Sequence, residues 1–276
     1  MSNPVFDNSA VFGDPRSRKG GARPGATGTT DPATETATLE QLYGAPSATA
    51  RETGRLTYDD VIVKTGGLLA LLVVVAAITW NTAPELYIVG AVVGLVLGLV
   101  NSFKKNPSPP LIIAYTVAEG VFLGGISYLF QNVEVINVNA QPLVLQAVVG
   151  TMATFAAALF LYRSGRVRVT PKFTRWLMIA MVGYLAFSLV NVVMMFFTTG
   201  STYGPLREGW VGVLVGLFAV GLAAACLIMD FDSIKRGVER GVPARLAWTA
   251  AFGLIVTLVW LYLEMLRLVA ILSGRR

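Results

Sequence analysis

Asp230 and Asp232 close an otherwise apolar run, residues 210–229, and are followed at once by Lys235, Arg236 and Arg240. Alternating steps of four and three back from Asp230 reach Cys226, Ala223, Ala219, Gly216 and Gly212. These are small residues on one helical face, the kind that lets helices approach closely in lipid. Asp232 stands roughly 200° around the same helix and does not share that face. The spacing therefore predicts that the Asp230 carboxylate points into a helix bundle at the inner edge of a membrane, while Asp232 lies at its margin.

Two further acids sit in apolar surroundings: Glu119 and Glu264, the latter three residues before Arg267. A charge at the centre of a bilayer costs about 3 kcal/mol on insertion scales, so such groups face a partner or a cavity. At a rise of about 1.5 Å per residue, Asp230 falls at the inner edge, Glu119 near the middle and Glu264 in the outer third. That order suits a ladder for protons or cations. Each acid also has a simpler use. Asp230 and Asp232 would cap a helix end against Lys235 and Arg236, Glu264 would pair with Arg267 across one turn, and Glu119 would bond a neighbouring helix as a protonated acid.

What the chain lacks narrows the chemistry. It has no histidine and one cysteine, Cys226. An internal disulfide, a cysteine metal cluster and a Ser–His nucleophile are thereby excluded, so proton or cation chemistry rests on carboxylates, hydroxyls and backbone carbonyls. Two intramembrane acids sharing a proton would suit an aspartyl protease, but the glycine-flanked aspartate of such enzymes is absent. No enzymatic activity and no bound cofactor are expected.

The elements that position these residues follow from hydropathy. Of the 276 residues 54% are hydrophobic and 14% charged, against about a quarter charged in soluble domains, which marks an all-α polytopic membrane protein. Seven spans are expected, at about 61–80, 84–103, 109–130, 142–162, 174–197, 210–231 and 244–272. The second carries Gly90, Gly94 and Gly98 at packing spacing, and the fifth presents Tyr184, Ser188 and Asn191 on one face. Residues 1–57, rich in small and polar types, are expected to be a disordered tail, with the seven-helix domain at 58–276.

The net charge of +6 is no sign of nucleic acid binding, because the basic residues fall in short loops. Loops 2–3, 4–5 and 6–7 hold Lys104, Lys105, Arg163, Arg166, Arg168, Lys172, Arg175, Lys235, Arg236, Arg240 and Arg245, while the opposite loops hold Arg207 alone. The positive-inside rule puts those three loops and the N-terminus in the cytoplasm, in a multi-pass protein of the cell membrane. Seven full spans place Arg275 and Arg276 outside; a re-entrant last helix would return them.

With Asp230-Phe231-Asp232-Ser233-Ile234-Lys235-Arg236 after the sixth span and Leu266-Arg267-Leu268 then Ile271-Leu272-Ser273 ending the seventh, the chain resembles the Bax-inhibitor-1 (transmembrane Bax-inhibitor-motif) family. It is most similar to a bacterial branch with a long N-terminal extension. The resemblance implies a bundle whose last helix is wrapped by the other six, and a pH-sensitive calcium leak gated by protonation of buried carboxylates. It also implies that an aspartate closing helix six, here Asp230, pairs with another on helix seven. A basic residue after helix two, Lys104 or Lys105, would latch the closed form. The second aspartate is where this chain departs: Tyr262-Leu263-Glu264 looks like the family's Tyr-Leu-Asp, whereas ungapped alignment of the chain's ending puts the position at Thr257. Gly253, Thr257, Trp260, Glu264 and Arg267 share one face, so either register points inward. Some bacterial relatives are thought to act instead as non-conducting regulators of a membrane quality-control protease, and a proton-coupled carrier is a third possibility.

Overall fold

The computed structural model describes residues 54–104, 106–132, 142–197 and 204–273. Seven helices there are long and apolar enough to cross a membrane. We number them α1 (Tyr58–Thr82), α2 (Tyr87–Phe103), α3 (Pro109–Asn132), α4 (Leu143–Arg163), α5 (Pro171–Met195), α6 (Gly209–Glu239) and α7 (Ala247–Leu272). Short 3-10 turns at Pro84–Leu86, Pro205–Arg207 and Ala244–Leu246 lead into α2, α6 and α7. No strand occurs among the described residues. Of the expected tail 1–57, residues 1–53 lie outside them, as do Lys105 and Arg275–Arg276.

The α1 helix begins ahead of its apolar run because Thr57 builds a capping box. The Thr57 hydroxyl accepts from the Asp60 N–H at 3.2 Å, and the Asp60 carboxylate accepts from the Thr57 N–H at 3.2 Å. Both groups satisfy orphan donors of the first turn, and Asp59 and Asp60 suit the positive end of the helix dipole. Just before this cap the chain is tied to the turn between α6 and α7. Leu56 N–H donates to the Val242 carbonyl at 2.7 Å, Ala244 N–H donates to the Gly54 carbonyl at 2.8 Å, and the Leu56 side chain is buried.

Burial separates an inner set of helices from an outer one. In α3, α6 and α7 the most apolar stretch is 56, 50 and 44% buried, against 11–22% in the other four. The last helix is central: α7 packs on α1, α3, α4 and α6, and α5 reaches it by side chains from its place against α6. The α2 helix instead lies along α3. Its glycines make that approach possible. A Cβ added at Gly90 would meet the Phe122 backbone nitrogen at 2.6 Å, and one at Gly94 would meet the Glu119 carboxyl at 2.8 Å. The outer helices turn large apolar side chains such as Leu95, Leu145 and Ile179 outward, as a lipid-facing surface requires.

α7 runs unbroken from Ala247 to Leu272. It therefore has no interruption at which a re-entrant chain would double back.

Candidate functional site: three acids with different partners

The small residues expected to face inward on α6 do so: Gly212, Gly216, Ala219, Ala223 and Cys226 are all buried. Asp230 continues that face, half-buried, and the Thr257 hydroxyl of α7 donates to its Oδ2 at 2.8 Å. The same hydroxyl lies 3.1 Å from the Gly253 carbonyl, one turn back on α7. One hydroxyl proton is thus divided between a carboxylate across the interface and a carbonyl in its own helix. A proton on Asp230 would reverse the bond, with the acid donating to Thr257 Oγ1 and Thr257 donating wholly to Gly253.

Asp232 points elsewhere. Its carboxylate pairs with Arg236 Nε at 2.9 Å and accepts from the Tyr162 hydroxyl of α4 at 3.4 Å. It ties the end of α6 to α4 and does not share the Asp230 site. Lys104 is the exposed C-cap of α2, and Lys105 is outside the described residues.

Glu119 is 8% exposed on α3. Tyr115, one turn back on the same helix, is its electrostatic neighbour. Tyr115 in turn meets the Phe252 ring of α7 edge-on at 5.0 Å. With Gly94 packed over it, the Glu119 carboxyl belongs to the α2–α3 seam.

Glu264 sits at the end of α7 opposite the basic loops and is held from four directions. Arg267 Nη1 approaches its two oxygens at 3.0 and 3.2 Å, Arg207 Nη1 lies 3.5 Å away, and the Trp260 indole N–H donates at 3.3 Å. The Tyr184 hydroxyl of α5 closes the set. Arg207, from the turn before α6, is 4% exposed and also donates to Tyr184 and to Ser188, at 2.8 and 2.7 Å. Its guanidinium lies over the Tyr184 and Phe187 rings. Low dielectric makes these ionic bonds strong and makes loss of one partner costly.

About 10 Å along α7 separate Thr257 from Glu264. The cavity beside Glu264 has neither Asp230 nor Glu119 in its wall. Asp230, Glu119 and Glu264 thus each meet a different set of partners.

Compared with known protein families, the chain matches the family described as Bax inhibitor 1 like, over residues 3–274. The chain belongs to that family. A search of curated proteins returned no match.

Within this Bax inhibitor 1-like protein, Thr257 is the α7 group that meets Asp230. Glu264, two turns further along the same face, is engaged by Arg207 and Arg267. No group of three or more Asp, Glu, His or Cys side chains able to hold a metal occurs among the described residues. Calcium takes six to eight oxygens, so a calcium ion at Asp230 would keep most of its water.

Arg207 was legible only as the lone basic residue of its side. Its part in the Glu264 cluster had no sequence signal beyond the polar face of Tyr184, Ser188 and Asn191 that receives it.

Proposed function

We propose that this chain is a cation leak channel of the cytoplasmic membrane, passing calcium, with its N-terminus cytoplasmic and its gate at Asp230. The observation that carries this reading is the Asp230–Thr257 bond, an ionisable group turned into the α6–α7 interface instead of toward water. An ionised Asp230 attracts a hydrated cation and accepts from Thr257; a protonated one donates to Thr257 and loses that attraction. Charge state and helix contact change together, which is how a proton would gate the path. Glu264 is already matched by Arg207 and Arg267 and acts as a structural tie at the far end.

The test is calcium uptake into vesicles holding the purified full chain, followed across pH. Asp230→Asn stays uncharged at every pH, so its flux should be flat and equal to the acidic limit of the wild type. A variant with unchanged flux and an unchanged pH response removes Asp230 from the mechanism.

A second reading, a non-conducting regulator that binds a membrane quality-control protease, draws on the pairing of Gly54 and Leu56 with the α6–α7 turn. Deleting 1–53 should then lose the partner in a pull-down while calcium flux stays as it was.

A further inference from the structure

Beside the Glu264 cluster lies a cavity of about 890 Å³ between α3, α5 and α7. Its size falls within the roughly 300–1,000 Å³ typical of small-molecule sites. α3 packs on α7 and α5 packs on α6, and a cleft lies between α3 and α5. Leu129 of α3, Leu185 of α5 and Leu263 of α7 give the cleft apolar walls, and Arg207, Arg267, Glu264 and Ser188 give it a polar end.

The charges at that end do not balance. Two guanidinium groups face one carboxylate, leaving one positive charge over in a place with little water to dissipate it. Hydrogen bonding is incomplete too. Arg207 has five N–H donors to place; its Nη2 serves Tyr184 and Ser188, and Nη1 serves Glu264. The buried Nε finds no acceptor among the described residues. Such an end calls for an anionic oxygen, and the walls call for hydrocarbon. The flanks of the cleft, including Val182 and Val192, are exposed on the lipid-facing side of α5, so a ligand would enter from the bilayer.

We propose that this cavity binds a membrane amphiphile with an anionic head, phosphate or carboxylate. The head pairs with Arg207 and Arg267, and the alkyl chain lies along the α3–α5 cleft. This site is independent of the Asp230 gate.

Native mass spectrometry of the full chain released from detergent, after titration with phosphatidylglycerol, phosphatidylcholine or oleate, tests it. One molecule of an anionic amphiphile should be retained in preference to phosphatidylcholine. Arg267→Gln should weaken that retention about tenfold, the effect of losing one charge-assisted bond. Leu263→Trp, which fills the cavity and leaves the charges in place, should abolish it. Preference for phosphatidylglycerol identifies a lipid headgroup as the source, and preference for oleate a free acid. Equal retention of all three, or anionic retention untouched by Leu263→Trp, overturns the proposal; if Arg267→Gln does not fold, Leu263→Trp alone decides.

Discussion

The Thr257 hydroxyl crosses from α7 to the Asp230 carboxylate of α6, 2.8 Å away. A threonine in this position can bond either protonation state of the acid and repels neither. The α6–α7 contact therefore survives the loss of a proton, which a pair of acids would not. Replacing Thr257 by Asp converts the contact into two carboxyls obliged to share one proton. Thermal stability of Thr257→Asp in detergent should fall as pH rises more steeply than that of the wild type, because repulsion appears once both groups are ionised. Calcium flux of the variant should gain a steeper pH dependence over the same range.

Thr257→Val keeps the shape and removes the donor. It leaves the Asp230 carboxylate without its described hydrogen-bond partner and should destabilise the protein by about 1–3 kcal/mol. Combined with Asp230→Asn, the two losses should be less than additive in a double-mutant cycle.

Gly94→Ala should destabilise by about 1–3 kcal/mol, since its Cβ would stand 2.8 Å from Glu119 Oε1 in a packed seam. Glu119→Gln, which is the same size, should not relieve it. Glu119→Ala should, and a denaturation midpoint for each pair separates steric from electrostatic origin.

The Glu264 cluster makes an asymmetric prediction. Arg207→Gln leaves Glu264 with Arg267 at 3.0 Å, so it should cost little more than the lost bonds. Glu264→Gln leaves two guanidinium groups facing one another and should cost about 3–5 kcal/mol, the range for an uncompensated buried charge. Equal costs measured by thermal unfolding would mean that Arg267 does not share the carboxylate.

Much of the fold could be read from periodicity and hydropathy, because a bilayer leaves a chain few options. The seven spans and the inward face from Gly212 to Cys226 follow from small residues at helical spacing. The partner of Asp230 was harder to find. Glu264 and Thr257 lie two turns apart on the same face of α7, and only the depth at which α6 crosses α7 selects one of them. Arg207 was out of reach for a different reason. It approaches Glu264 through the fold of a turn, and no local pattern encodes which loop residue will drop into a helix interface. Local signals served Glu264–Arg267, which are three apart, and could not serve Glu264–Arg207.

At 31 residues, α6 measures about 46 Å, well beyond the roughly 30 Å of hydrocarbon it crosses. The surplus has to be taken up by tilting or by protruding, and the choice depends on how thick the surrounding lipid is. Asp230 lies nearly one hydrocarbon thickness from the start of the helix, so it rides up or down with that adjustment. A thinner bilayer would wet the carboxylate and a thicker one would draw it under, which makes lipid chain length a tuning variable for its ionisation.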